Sequence, residues 1–191
     1  MAKKSINILL LGRSGCGKGT QGKLLVDHFG LGLYINTGDI FRDLIQKDTL
    51  AGRKMVELLN RGGLAEDWMA TFLWKRELIE KLQSKDQGII FDGVARRLSE
   101  AKELDRVMEW FGLKLTPILI EVTREEAFKR LKGRKRLDDT DEGINSRLDW
   151  YDDHTSKTVD YYEKKRQLVR VDGMPDEKIV FRNILKELGE K

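Results

Sequence analysis

The sequence predicts an α/β fold of three layers, with helices on both faces of a central five-stranded parallel sheet. Five apolar segments of strand length occur at residues 6–11, 33–35, 89–91, 115–122 and 168–171, and helical patterns lie between them. The first, third and fourth segments barely alternate between apolar and polar residues, which is typical of strands buried on both faces. In such folds ligands bind at the carboxyl ends of the strands.

Three of the predicted helices have recognisable ends. Gly30 directly follows a helical pattern and is placed to terminate it. Ser99 precedes an apolar stripe and is expected to cap that helix. Asp139 and Glu142 have the spacing of a capping box before another helix. The apolar positions of the last two helices are Ala101, Leu104, Val107, Met108 and Phe111, and Ile144, Leu148 and Tyr151.

The bulk composition indicates one soluble domain over residues 1–191, because this length supports one sizeable core. No apolar run approaches the eighteen or so residues of a membrane span. The single cysteine, Cys16, excludes an internal disulfide and a Cys-x-x-Cys zinc site. We therefore expect a cytoplasmic protein with no zinc and no membrane partner. The net charge of +4 fits either nucleic-acid binding or the handling of small phosphates.

A glycine-rich loop directly follows the first apolar segment and precedes a helical pattern. Its sequence is Gly12-Arg-Ser-Gly15-Cys-Gly17-Lys18-Gly19-Thr20. Glycines let backbone N–H groups turn inward around phosphate oxygens, and the helix N-terminus adds positive potential. Lys18 supplies a positive charge to the outer phosphates, and a threonine hydroxyl can ligate Mg²⁺. An ordinary glycine turn explains neither the lysine nor this position between strand and helix, so we predict a phosphate-binding loop.

The ending Gly-Lys-Gly-Thr-Gln of this loop resembles the adenylate kinases and the related UMP/CMP kinases. The resemblance extends over nearly the whole chain, and further motifs follow in the order of the family. They are Thr37-Gly38-Asp39-x-x-Arg42, Gly62-Gly63-Leu64-Ala65, Asp92-Gly93 with Arg96, and Gly133-Arg134-x-Arg136-x-Asp138-Asp139 with Arg147. The chain departs from the family at Ser14, where proline is usual, at Val94-Ala95, where the family has Phe-Pro, and at Glu100, where the family has glutamine.

The resemblance implies a P-loop NTPase fold with two small additions. A helical insertion that binds the nucleoside monophosphate would extend over residues 36–65, and a very short lid over residues 133–140. A single residue separates Arg134 from Arg136, which leaves no room for the zinc-bearing lid of longer relatives. The paired aspartates, Asp138 and Asp139, would orient the arginines of the lid.

The resemblance also implies sites for two nucleotides and one metal ion. The implied ATP site comprises Gly15, Cys16, Gly17, Lys18, Gly19, Thr20, Arg130, Arg134 and Gly173. The implied AMP site comprises Thr37, Gly38, Arg42, Gly63, Leu64, Ala65, Gly93, Arg96, Glu100, Arg136 and Arg147. Catalysis would rest on Lys18, Arg96, Arg134, Arg136 and Arg147, and Mg²⁺ on Thr20 and Asp92, partly through water.

These assignments imply an adenylate kinase, a monomer that transfers the terminal phosphoryl group of ATP to AMP and gives two ADP. Three alternatives remain. Another monophosphate could be the acceptor: UMP, CMP or, because the Glu100 carboxylate can only accept hydrogen bonds, GMP. A catalytically silent nucleotide- or RNA-binding module is disfavoured by arginines on both phosphate sides, so we expect no nucleic-acid partner. A kinase for a small non-nucleotide metabolite would leave Thr37, Arg42 and Arg96 without a purpose.

The short lid predicts incomplete exclusion of water from bound ATP. Lids that close over a site suppress hydrolysis of the bound nucleotide. We therefore expect measurable release of phosphate from ATP when no acceptor is present. Fast phosphoryl transfer with no detectable hydrolysis would show that this expectation is wrong.

Overall fold

The computed structural model describes residues 6–60, 65–134 and 139–190, and only the backbone at 59 and 60. It contains a five-stranded sheet in the order β2-β3-β1-β4-β5, and every neighbouring pair is parallel. The strands are β1 (Asn7–Leu11), β2 (Leu33–Asn36), β3 (Ile89–Asp92), β4 (Thr116–Glu121) and β5 (Val169–Asp172). Helices flank this sheet, so the predicted α/β fold is confirmed.

The helices connect the strands and follow the last of them. They are α1 (Lys18–Phe29), α2 (Thr37–Ile45), α3 (Leu50–Asn60), α4 (Asp67–Lys81), α5 (Leu98–Phe111), α6 (Arg124–Arg134), α7 (Asp141–Trp150), α8 (Ser156–Lys164) and α9 (Glu177–Glu187). A π-helical turn, Tyr151–Thr155, joins α7 to α8 without a break. No helix in the described part of the chain is both long enough and apolar enough to cross a membrane.

The burial of the strands follows their place in the sheet. All residues of β1 and β3 are buried, and so are the four inner residues of β4. The edge strands β2 and β5 are only partly buried. Apolar side chains on the two faces form two separate core clusters, which is why the central strands are apolar throughout. The predicted burial of the first, third and fourth segments is confirmed.

The helix ends agree only in part with the sequence predictions. Gly30 ends α1 with φ 61°, and its N–H donates to the Val26 carbonyl, as predicted. The prediction for Ser99 is wrong, since α5 begins at Leu98 with Arg97 as the preceding cap residue. The prediction for Asp139 is also wrong, because Thr140 caps α7. Asp139 instead forms ion pairs with Arg134 and Arg147, which is the other role that the resemblance implied for it.

The two tryptophans of α4, Trp68 and Trp74, differ in environment. Trp74 is completely buried and packs edge-on against Phe91 with ring centroids 6.2 Å apart. Trp68 is 65% exposed.

Glu100, in the first turn of α5, is a buried carboxyl group. Its side-chain Oε2 accepts the backbone N–H of Arg96 at 2.8 Å. Burial raises the pKa of Glu100 above its ordinary value of 4.5, although the Arg96 N–H, the Arg96 guanidinium and the nearby Trp74 indole favour the charged form. The folded protein therefore binds a proton at Glu100 more tightly than the unfolded chain does.

This raised pKa predicts a pH-dependent stability difference between the wild type and Glu100→Gln. The folded state binds more protons at Glu100, so the stability of the wild type relative to the variant falls as the pH rises above about 4.5. The fall is about 1.4 kcal/mol for each unit by which the pKa is raised. Denaturant unfolding at a series of pH values measures it.

Glu103→Gln on the same helix is the control, because the pKa of Glu103 is shifted in the opposite direction to that of Glu100. A hydrogen bond from Lys75 lowers the pKa of Glu103, so the wild type should gain stability over this control as the pH rises. Slopes of the same sign for the two variants would contradict the assignment for Glu100.

Candidate active site

The loop between β1 and α1 has a backbone that requires glycine at several positions. Gly12, Gly15 and Gly17 have φ values of 139°, 87° and 99°. A Cβ on Gly12 would lie 2.5 Å from the Ile120 carbonyl oxygen. Gly17 is the N-cap of α1, so the positive end of the helix points into the loop. Gly19 and Thr20 follow in the first turn, with Thr20 exposed. This geometry suits a bound phosphate group.

Lys18, the first residue of α1, folds back over the loop. Its Nζ donates to the carbonyl oxygens of Gly12 and Arg13 at 2.8 and 3.0 Å and lies 3.6 Å from the Cys16 sulfur. Cys16 is 2% exposed and packs beneath the loop. The ammonium group is therefore held over the loop by carbonyl oxygens.

The turn after β3 brings Arg96 next to Thr37 from the start of α2. The Gly93 carbonyl accepts two hydrogen bonds, from the Thr37 hydroxyl at 2.9 Å and from the Arg96 Nε at 3.0 Å. A Cβ on Gly93 would lie 2.5 Å from the Thr37 Oγ1. Position 93 therefore requires glycine, because a side chain there would clash with Thr37.

Arg42 lies on the same helix as Thr37 and forms an ion pair with Asp39, one turn away. Its Nη1 is 3.3 Å from the position that a Cβ on Gly38 would take. Both Arg42 and Asp39 are about half exposed. The Arg42 guanidinium thus lies beside the turn that carries Thr37 and Gly38.

Asp139 holds two further arginines, one from each of the helices α6 and α7. Its carboxylate accepts from Arg134 Nε and Nη2 at 3.0 and 2.8 Å, and from Arg147 Nη2 at 2.8 Å. The Asp139 side chain is only 1% exposed. Arg147 Nε also donates to the Gly143 carbonyl at 3.0 Å. One buried carboxylate therefore brings two of the predicted catalytic guanidiniums together.

One cavity above the carboxyl ends of β1 and β3 collects residues from distant parts of the chain. Lys18, Arg96 and Arg147 all line it. The other lining residues are Leu10, Leu11, Gly12, Ser14, Gly93, Val94, Trp150, Tyr151 and Thr155. Arg134 adjoins this group through Asp139, whereas Arg42 is not part of the lining. The structure therefore brings three predicted catalytic cations together at the phosphate loop.

Arg130 and Gly173, both predicted for the ATP site, contact each other. Arg130 donates from Nη1 to the Gly173 carbonyl at 2.9 Å and from Nη2 to the Met174 carbonyl at 3.1 Å. Its Nε is paired with Glu126 at 2.7 Å. In this arrangement the Arg130 guanidinium fixes the turn after β5.

Asp92 at the end of β3 is a carboxylate of the type that Mg²⁺ requires. It is 6% exposed, and its Oδ2 accepts hydrogen bonds from Tyr34 and Asn36, both at 2.9 Å. Burial, followed by the Asp92 charge, raises the pKa of Tyr34, so its hydroxyl remains a donor. The same Oδ2 is 3.7 Å from where a Cβ on Gly19 would lie.

The described residues form no cluster of three or more acidic, histidine or cysteine side chains that could hold a metal ion alone. Mg²⁺ in phosphate-transfer sites uses one or two carboxylates together with substrate oxygens and water. A single buried carboxylate beside the phosphate loop therefore fits a Mg²⁺ ion that arrives with a nucleotide.

Sequence analysis missed the contribution of the π-helical turn. Tyr151 and Thr155 line the cavity, and Asp152 pairs with Arg13 of the phosphate loop. The Arg13 guanidinium also stacks over the Tyr151 ring at 4.5 Å from the centroid. Arg147, Tyr151 and Thr155 are four positions apart, and this spacing is the sequence signal that they share a helix face. The pattern of Ile144, Leu148 and Tyr151 predicts only an apolar core stripe.

Several predicted contacts fall outside the described residues. They are those of Gly63, Leu64, Arg136 and Asp138. Ala65, which ends the same motif as Gly63, is half-buried just before α4.

Comparison with known proteins agrees with this geometry. Residues 10–167 match the sequence model of the adenylate kinase family. The chain is 36% identical over 189 residues to an adenylate kinase of Thermus thermophilus, covering 95% of this chain and 96% of that protein. It is 34% identical over 188 residues to an adenylate kinase of Mycobacterium leprae, covering 97% of this chain and 100% of that protein.

A third relative, an adenylate kinase of Prochlorococcus marinus, is 34% identical over 184 residues, with 95% of this chain and 98% of that protein covered. The similarity therefore extends from the phosphate loop through the arginine-bearing helices to the last strand. The chain belongs to the adenylate kinase family.

Proposed function

We propose that this protein is an adenylate kinase, which transfers the terminal phosphoryl group of ATP to AMP and forms two ADP. The observation that supports this function most strongly is the cavity lined by Lys18, Arg96 and Arg147. These cations come from the phosphate loop, the turn after β3 and α7. A cavity with cations on several sides suits the joined phosphate chains of two nucleotides.

The donor phosphates would bind in the loop of residues 12–17, against the N-terminus of α1. Backbone N–H groups there provide directed donors, and Lys18 can exchange its carbonyl partners for phosphate oxygens. Arg134 would approach from α6. The exposed position of its guanidinium, at 34%, leaves it accessible to a ligand.

The acceptor monophosphate would bind near Thr37, Arg42 and Arg96. An oxygen of this phosphate attacks the terminal phosphorus of ATP, and the bond from that phosphorus to the bridging oxygen breaks, so that ADP leaves. The transferring group carries its negative charge on three oxygens. Lys18, Arg96 and Arg147 can contact it from different sides, so positioning and electrostatics are sufficient without a covalent intermediate.

Mg²⁺ would be held by Asp92 and Thr20, partly through water, together with the nucleotide phosphates. When bound, it neutralises charge on the phosphate chain. Tyr34 and Asn36 support this role because they fix the orientation of the Asp92 carboxylate.

The position of Glu100 favours AMP over GMP as the acceptor. Its Oε2 is engaged by the Arg96 N–H and its Oε1 is buried, so Glu100 does not present two free acceptors to a base. Adenine offers one amino group on the edge in question, whereas guanine offers two neighbouring donors. A carboxyl that does not present two free acceptors is a poor match for the two donors of guanine, which disfavours GMP.

The same proposal divides the chain into one domain over 1–191, an AMP-binding insertion at 36–65 and a lid at 133–140. Helices α2 and α3 form the described part of the insertion, and Asp139 is the described anchor of the lid. Because one chain supplies the lysine and the arginines of the cavity, we propose a monomer. The buried Cys16 is compatible with a reducing cytoplasm.

The direct test is the rate of ADP formation from ATP with AMP, GMP, CMP and UMP in turn. We expect AMP to be the fastest acceptor and a chelator of Mg²⁺ to abolish transfer. Replacing Lys18 with Met should lower kcat by about 10²- to 10³-fold, the usual cost of removing one preorganised donor to transition-state charge.

Lys23→Met provides the matched control, since Lys23 is an exposed lysine on the same helix. It should leave the rate unchanged. Absence of ADP with every acceptor would contradict kinase function, and a clear preference for GMP would contradict only the choice of base.

A further inference from the structure

We infer that Thr155, in the π-helical turn, is a positioning residue that holds Arg96 for the acceptor phosphate. This inference rests on the proposed function, because it takes Arg96 as the arginine that binds the acceptor. Thr155 is 7% exposed, and its hydroxyl donates to the Arg96 carbonyl at 3.0 Å. The two residues are 59 positions apart in sequence, so the contact joins separate segments of the chain.

The backbone at Arg96 is held from both sides. Its carbonyl accepts from Thr155, and its N–H donates to the buried Glu100 carboxyl at 2.8 Å. Its own Nε donates to the Gly93 carbonyl at 3.0 Å. The Arg96 side chain is otherwise exposed to solvent, so these contacts fix the position of its backbone and of its Nε at the cavity.

The turn needs such support because its conformation is unfavourable. Ala95 has φ 58°, a left-handed conformation that is unfavourable for a residue with a Cβ. Ala95 is also completely buried, and no proline restricts the backbone here. Tertiary hydrogen bonds to Arg96 therefore stabilise a backbone that would otherwise relax.

The π-helical turn explains why Thr155 can reach this carbonyl. In an α-helix of 3.6 residues per turn, positions four apart are displaced by about 40° around the axis. A π turn has i→i+5 hydrogen bonds and winds less per residue, so it reverses this displacement. Arg147, Tyr151 and Thr155 consequently all face the same cavity.

The π-helical turn also contacts the phosphate loop through an ion pair. Asp152 pairs with Arg13, and Arg124 pairs with Asp152 at 3.0 Å and with Asp149 at 2.7 Å. Through Thr155 this segment also contacts the acceptor arginine. One continuous segment thus contacts both the donor loop and Arg96.

The test replaces Thr155 with Val, which keeps nearly the same shape and removes the hydroxyl. Loss of one hydrogen bond is worth about 1 kcal/mol, so KM for AMP should rise about fivefold while KM for ATP stays unchanged. Thr155→Ser keeps a hydroxyl and should restore the wild-type KM for AMP. Thermal unfolding of each variant shows whether the fold is retained.

Thr158→Val is the matched control in the following helix. Thr158 is completely buried, and its hydroxyl has no hydrogen-bond partner among the described residues. The control therefore makes the same chemical change in the same region without releasing Arg96. It should leave both KM values at the wild-type level.

A binding measurement separates positioning from a general structural effect. Thr155→Val should weaken AMP binding about fivefold and leave adenosine binding unchanged, because adenosine lacks the phosphate that Arg96 contacts. Equal losses for AMP and adenosine, or identical behaviour of Thr155→Val and Thr158→Val, would overturn the inference. If the wild type forms no ADP with any monophosphate, the proposed function fails instead, which is a distinguishable result.

Discussion

The structure depends on holding several cations around one cavity at the carboxyl ends of the strands. Such cations repel one another, so each of them has an oxygen partner within hydrogen-bond distance. Lys18 contacts loop carbonyls, Arg96 contacts the Gly93 carbonyl, and Asp139 joins Arg134 to Arg147. Phosphate oxygens can replace these oxygen partners, so the same guanidinium and ammonium groups form a site for negative charge.

The topology of the sheet accounts for the place of this site. Strand order β2-β3-β1-β4-β5 puts β1 in the centre, with β3 on one side and β4 on the other. The phosphate loop leaves β1, and the turn that carries Arg96 leaves β3. Because all strands are parallel, both turns emerge at the same edge, where ligands of this fold class bind. The buried Asp92, at the end of β3, lies close to Gly19 in the first turn of α1.

The sequence was sufficient to predict the fold, because strand burial and the phosphate loop depend on local patterns. Gly12, Gly15 and Gly17 have the positive φ values that such a loop demands. It did not predict contacts that depend on tertiary structure. Thr155 and Glu100 both bind the Arg96 backbone, and no local pattern in the sequence indicates either contact. Thr155 lies 59 positions from Arg96, and the contact with Glu100 depends on the unusual turn at Ala95. Asp139 was predicted both as a helix cap and, from the family resemblance, as a partner of the lid arginines, and only the folded chain decides between these two roles.

The proposed role of the cavity is to hold the phosphate chains of two nucleotides end to end between Lys18, Arg96 and Arg147. Calorimetric titration with two adenosines linked through five phosphates tests it most directly. We expect one molecule of this linked compound to bind per chain, with an affinity about 10²- to 10⁴-fold above that of ATP or AMP alone. Either ATP or AMP should displace it. Binding no tighter than that of ATP, with no competition from AMP, would contradict this role of the cavity.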